Sequence, residues 1–227
     1  MFGLGDVFAE KLYDLALVAN LARPGSVEMF DGHVLVDEHR IRSTKPFSSW
    51  SFREATRLAE KLGWPKLDDL SVSTVWQWSE PIEGLSVGYS TSPVGRALNA
   101  LTYLTSLDSS QPFSLFWALM GLEALYVQGR GGVMEQLREK VHTLLGAPEA
   151  HKKRFNRIYD LRSRVIHGQL DFSAAYSELG GPEDDRFYKE LGEATDLATA
   201  LLLATLQQLV KRGWRELRFP YLVDGSP

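Results

Sequence analysis

The stretch FSLFWALMGLEALY, residues 113–126, decides the fold class, because it is apolar around almost the whole circumference of a helix. A helix of this kind belongs in a protein core. Four further helical patterns surround it, and glycines at 146, 168 and 213 mark where three of them end. They are predicted over residues 93–107, 134–145, 148–167 and about 183–212. The chain is therefore predicted to be mainly α, with an up-and-down helical bundle over residues 93–227.

Residues 1–92 are predicted to form an N-terminal extension packed against this bundle. Amphipathic spacing predicts a helix over 3–22, and β-forming residues over 26–43 predict a short β-hairpin with a tight turn at Asp31-Gly32. Serines before residue 50 and Gly63 bound a second helix over 48–63. Prolines and glycines predict an irregular segment over 64–92, within which residues 75–78 form a short strand or an aromatic plug.

The composition excludes several classes of chemistry. The 227 residues contain no cysteine, which rules out disulfide frameworks, thiolate metal sites and cysteine nucleophiles and fits a reducing cytoplasm. The histidines have no metal-like spacing with carboxylates, so no metal site is predicted. The N-terminus lacks the basic and apolar regions of a signal peptide, and the longest nearly apolar run, 197–206, is too short to span a bilayer. A cytoplasmic protein without membrane insertion is expected.

A second stretch, YDLRSRVIHG at residues 159–168, carries the candidate chemistry. Arg162 precedes His167 by five residues, and an imidazole that moves protons beside a guanidinium that binds phosphate can cleave RNA without a metal. Ser163 and Arg164 lie four and three residues before His167, so both are its helix neighbours, and the Ser163 hydroxyl could fix the imidazole tautomer. The alternative interpretation of the bare pattern is an ion pair and a helix end.

Glu123 and Arg162 are predicted to need each other. Each charge falls in an apolar stripe of its helix, and an unpaired buried charge is very costly. We therefore expect Glu123 to face the fourth helix of the bundle and to pair with Arg162 or Arg164.

The net charge of −4 is unevenly distributed. Residues 151–167 hold six cations against one acid, so this segment is +5 and the rest of the chain is −9. A basic stripe on an acidic body is the local pattern that binds a polyanion, and a solvated helix face is the alternative. The predicted RNA-binding residues are Lys152, Lys153, Arg154 and Arg157.

These two stretches together resemble the Apea-like branch of the HEPN family, in which the motif reads much like Arg-Ser-x-x-x-His-Gly. The resemblance covers about residues 93–212. It implies an all-helical fold, a ribonuclease with Arg162 and His167 as its catalytic pair and Ser163 as the usual polar residue after the arginine, and action as a homodimer without metal or cofactor. The implied product is a 2′,3′-cyclic phosphate.

The resemblance also implies a biological setting. HEPN toxins paired with nucleotidyltransferase antitoxins usually have tyrosine two residues after the histidine, whereas this chain has Gln169. A role in defence, abortive infection or stress response is therefore expected, with RNA as the partner and an antitoxin or regulatory protein as a further one. The second hypothesis is a non-catalytic dimerising module that binds RNA, nucleotide or a protein partner, because many family members keep the fold without proven cleavage.

Overall fold

The computed structural model describes residues 4–30, 32–36, 39–82, 85, 89–106, 112–129, 131–146, 151–169 and 182–219. These residues are mainly helical, as predicted. In chain order the elements are α1 (Leu4–Ala22), β1 (His33–Val36), β2 (His39–Ser43), α2 (Trp50–Leu62), α3 (Val72–Ser79), α4 (Pro93–Leu104), α5 (Pro112–Tyr126), α6 (Val133–Leu145), α7 (Lys152–Ile166) and α8 (Pro182–Arg212). None of these helices combines the length and the apolar character that crossing a bilayer requires.

The long helix α8 lies at the centre of the bundle. It contacts α1, α2, α3, α5, α6 and α7. Every residue from 197 to 206 is buried, as expected for the longest nearly apolar run of the sequence. Within this buried part the Thr205 hydroxyl donates to Leu201 O one turn earlier, at 2.7 Å, whereas the buried Thr199 hydroxyl has no hydrogen-bond partner among the described residues.

A glycine allows α5 to approach α8 closely. A Cβ placed on Gly121 would lie 2.6 Å from Leu202 Cδ2 on α8 and 3.2 Å from Ala100 Cβ on α4. A side chain at this crossing would force Leu202 to move, which is costly because the interior is packed without spare volume. The close contact sets the position of α5, and therefore of Glu123, relative to the rest of the bundle.

The N-terminal helices share the core of the bundle. Leu21 on α1 and Phe52 on α2 belong to the same cluster of buried side chains as α8. Gln207 of α8 ties them together: its amide nitrogen donates to Leu21 O at 2.9 Å and Asp68 O at 2.8 Å, while its oxygen accepts from Asp68 N at 2.8 Å. Helices α1, α2 and α3 pack on α8, while the division of the chain into an extension and a bundle at residue 92 stays a prediction.

Two predictions for the N-terminal part were wrong. Residues 75–78 lie in helix α3, because Val75 and Trp78 stand three residues apart and are both buried on one helix face. The predicted turn at Asp31-Gly32 is also misplaced, since Gly32 precedes β1 and the two antiparallel strands are separated by residues 37 and 38. Asp31 lies outside the described residues, and the strand pair is a minor element.

Helix α5 is less enclosed than its composition predicted. Leu115, Leu119 and Leu122 are buried, but Phe113 is 70% exposed and Met120 is 41% exposed. A helix that is apolar all round thus has one side that the described residues do not cover.

Candidate functional site

Helix α7 ends where the glycine was predicted to end it. His167 still bonds back to the helix, its N–H donating to Ser163 O at 3.0 Å. Gly168 then adopts a left-handed φ of 62°, and the N–H groups of Gly168 and Gln169 donate to the carbonyls of Val165 and Arg164. This is the pattern that closes helix C-termini, and it leaves the side chain of His167 exposed at the helix end.

Arg162 is held by the predicted partner. Its Nη2 lies 3.3 Å from Oε1 of Glu123 on α5, and the same oxygen accepts the hydroxyl of Tyr159 at 3.2 Å. The guanidinium carbon also lies 5.9 Å from the centre of the Tyr159 ring. Both charged side chains are between one fifth and one third exposed, so the pair is half-buried and not sealed in the core.

Tyr159 is the anchor that sequence reasoning missed. Its side chain is buried, and burial raises the pKa of its hydroxyl well above the ordinary value; the nearby negative charge of Glu123 raises it further, and Arg162 opposes. The hydroxyl therefore stays neutral and keeps its proton for the bond to Glu123. The spacing could have revealed it, because Tyr159 precedes Arg162 by three residues and such residues are neighbours on a helix.

The Arg162 side chain lines a cavity of about 490 Å³ between α5, α6 and α7. Ser163, Glu123, Tyr159 and Asn156 line it with Arg162, but His167 is not among the described residues on its wall. This agrees with helix geometry, because five residues on a helix are separated by about 140° around its axis. The fold therefore brings Arg162, Ser163 and Glu123 together and leaves His167 on another side of the helix end.

The supporting roles predicted for two neighbours of His167 are not formed here. Arg164 does not pair with Glu123. Its Nη1 instead lies 3.8 Å from Oδ2 of Asp160, one turn earlier on the same helix. Ser163 and His167 meet through the backbone, and within the described part of the chain neither side chain has a hydrogen-bond partner. The imidazole is thus free to turn toward a ligand.

Part of the basic stripe is neutralised by α8. Nη2 of Arg157 lies 2.6 Å from Oε1 of Glu190, and Nη1 of Arg154 lies 3.6 Å from Oε2 of Glu193. The hydrogen bond from Arg157 lowers the pKa of the Glu190 carboxyl, so that acid is ionised and engaged. Lys152 and Lys153 are exposed at the start of α7, although Lys152 also has an interaction partner. This pairing could not be predicted from the sequence, because the acids lie 33 and 39 residues away along the chain.

No three histidine, aspartate or glutamate side chains of the described ranges are grouped closely enough to hold a metal ion. Comparison of the chain with protein-family models, with curated proteins and with solved structures found no match.

Proposed function

We propose that this chain is a metal-independent endoribonuclease of the HEPN type, acting in defence, abortive infection or stress response. The observation that carries the proposal is the state of the two motif residues. His167 ends α7 exposed and without a side-chain partner among the described residues, while Arg162 of the same helix is held in place by Glu123 and Tyr159. A free imidazole and a fixed guanidinium are what acid–base cleavage of a phosphodiester needs.

The chemistry follows from these two groups. His167 takes the proton of a ribose 2′-hydroxyl, and the 2′-oxygen forms a bond to phosphorus as the bond to the 5′-oxygen breaks. The leaving 5′-oxygen takes up a proton from a second imidazole or from solvent, and the product ends in a 2′,3′-cyclic phosphate. Arg162 donates to the phosphate oxygens as their charge grows. Its guanidinium has five N–H donors, and the contact with Glu123 leaves others available.

A second copy of the chain is part of this proposal. Arg162 and His167 project about 140° apart around α7, so a phosphate between them has to lie at the helix end or between two such ends. Ile166, directly before His167, is 50% exposed, so a second copy that faces this helix end would remove its apolar surface from water. Two facing copies would supply one imidazole as base and the other as acid.

The test is cleavage of a generic RNA in EDTA. We expect wild type to cleave and both His167→Ala and Arg162→Ala to be inactive while remaining folded. Gln169→Ala is the matched control, because Gln169 is exposed beside the same helix end and has no role in the reaction. Absence of cleavage by wild type, with or without metal, would overturn the enzymatic proposal. Cleavage by the variants at the wild-type rate would assign the activity elsewhere.

A non-catalytic module is the second candidate, and the ion pairs favour it. Arg154, Arg157 and Arg162 all contact acids of the same chain, so their charges help to hold the fold together. In that case RNA, a nucleotide or a partner protein, including an antitoxin or regulator, would bind without being changed. Binding of RNA that survives His167→Ala, with no cleavage by wild type, would distinguish this candidate.

A further inference from the structure

A second cavity lies away from the end of α7. It is an open groove of about 1550 Å³ between α1, α4 and α5, closed on one side by residues 45–50. Three of the side chains along it are aromatic and well exposed: Trp50 and Tyr103 at 47% each and Tyr89 at 98%. We call this cavity the aromatic groove.

One of these rings is already fixed. Tyr103 on α4 stacks on Trp117 of α5, with ring centres 3.7 Å apart and planes within 2° of parallel. Tyr103 nevertheless remains 47% exposed and lines the groove. A ring held by its neighbour loses little freedom when a further flat group stacks nearby, so Tyr103 is a preorganised platform for an aromatic ligand.

Polar groups accompany the platform along the same helix face. Arg96, Asn99 and Tyr103 stand three and four residues apart on α4, and all line the groove. Among the described residues the Asn99 side-chain amide has no hydrogen-bond partner, and it is partly buried. An amide of this kind both donates and accepts, as the edges of nucleobases do.

The available charges of the groove favour an anion. Lys45 and Arg96 are exposed and have no carboxylate partner in the described part of the chain; Arg96 donates only to the Thr91 carbonyl at 2.8 Å. Two of the three lining acids are engaged, Asp14 with Lys11 at 3.4 Å and Glu123 with Arg162. The third, Glu10, can accept hydrogen bonds from sugar hydroxyls.

The aromatic groove adjoins the cavity beside Arg162 at one residue of α5. Glu123 lines both this groove and the 490 Å³ cavity beside Arg162, so the two spaces meet at one side chain. A strand lying along α4 and α5 would therefore arrive at the guanidinium of Arg162.

We propose that the aromatic groove is a base-stacking site for single-stranded RNA, with Tyr103 as the platform, Asn99 on a base edge, and Lys45 and Arg96 on the phosphates. Alternating aromatic rings and cations in one groove are what single-stranded nucleic acids bind. A duplex hides its base faces and would not fit. Delivery of the strand to Arg162 rests on the proposed ribonuclease function, whereas binding in the groove does not.

Binding is tested without cleavage, in the His167→Ala protein, so that its outcome is independent of catalysis. The probe is a labelled single-stranded oligoribonucleotide, compared with its duplex and with competing AMP. Tyr103→Leu should weaken binding of the single strand about fivefold or more, because the lost stacking is worth ~1–3 kcal/mol per base. Tyr103→Phe, which keeps the ring, should bind like the parent. Phe113→Leu is the matched control, because Phe113 is an exposed aromatic on α5 outside the groove.

A second variant tests the charge independently of the ring. Arg96→Gln should weaken binding and reduce the salt dependence of log K by about 0.7, the loss of one phosphate contact to a single strand. The inference is overturned if Tyr103→Leu and Arg96→Gln bind the oligomer as tightly as the parent, or if AMP binds as tightly as the oligomer. It is also overturned if Tyr103→Leu changes only the oligomeric state, which would make the groove an interface between copies. If the single strand binds tightly, Tyr103→Leu loses that binding and wild type cleaves no RNA, the groove proposal stands and the ribonuclease proposal fails.

Discussion

The ion pair between Arg162 and Glu123 can be measured with a double-mutant cycle. Arg162→Met keeps the stem of the side chain over Tyr159 and removes the charge; Glu123→Gln keeps an acceptor for the Tyr159 hydroxyl. A fully buried pair would cost ~3–5 kcal/mol when one partner is removed. Glu123 retains about one fifth of its side-chain exposure beside a 490 Å³ cavity, so water can reach the orphaned carboxylate and the cost falls. We expect each single variant to lose ~1–2 kcal/mol and the coupling energy to be ~1 kcal/mol.

The assay is urea unfolding followed by far-UV circular dichroism, with thermal melting as a second measure. A loss of ~1–2 kcal/mol in a chain of this length lowers Tm by roughly 2–8 °C. The control cycle is Arg164 with Asp160, whose 3.8 Å contact is more exposed and should couple by no more than ~0.5 kcal/mol. If the Arg162–Glu123 coupling is no larger than that of the control, Glu123 does not position Arg162 and the reasoning fails.

Three further predictions concern the fold. Gly121→Ala should destabilise the protein by ~1–3 kcal/mol in urea unfolding, because the added methyl would lie 2.6 Å from Leu202 Cδ2. Gly192→Ala is the control: a Cβ at Gly192 has nothing within 4 Å, so this variant should stabilise α8 by ~0.5–1 kcal/mol. Equal effects of the two substitutions would contradict the close packing at Gly121. Gln207→Ala should cost ~2–3 kcal/mol of unfolding free energy, because it leaves two carbonyls and one N–H without partners, and a neutral result would show that water replaces the amide. The raised pKa of Tyr159 means that the neutral hydroxyl stabilises the fold. This contribution to the free energy of unfolding is fully present below pH 10, near the pKa of the unfolded chain, and is lost as pH rises above that value. In Tyr159→Phe the free energy of unfolding should therefore fall less steeply over the alkaline range, and parallel pH profiles of the two proteins would refute this.

The sequence predicted those parts of the fold that depend on local patterns. Helix ends marked by Gly63, Gly146 and Gly168 lie within a residue or so of the predicted positions, because a left-handed turn is a local property of glycine. Helix α3 was missed because tryptophan and valine are common in strands, and burial of Val75 and Trp78 against other elements decided the outcome.

The candidate site likewise has parts that local rules predict and parts that only the three-dimensional packing decides. The partner of Glu123 was predicted because the cost of an unpaired charge is independent of topology. Three other features depend on how distant segments of the chain meet in the fold. They are the half-exposure of that pair, the ion pairs of Arg154 and Arg157 with α8, and the exposed side of α5. The aromatic groove could not be predicted, since its residues come from α1, α4, α5, the start of α2 and the segments before α2 and α4.

The central position of α8 has a consequence for the order in which the protein is made. Gln207 bonds to Leu21 across 186 residues, and α2 packs on the same helix. During synthesis the apolar faces of α1 and α2 emerge from the ribosome long before the helix that covers them. Contacts at such sequence separation have to wait for the intervening chain, which slows their formation and prolongs the exposure of apolar surface. The nascent chain therefore depends on α8 to become resistant to proteases, and this core assembles only after α8 has been translated.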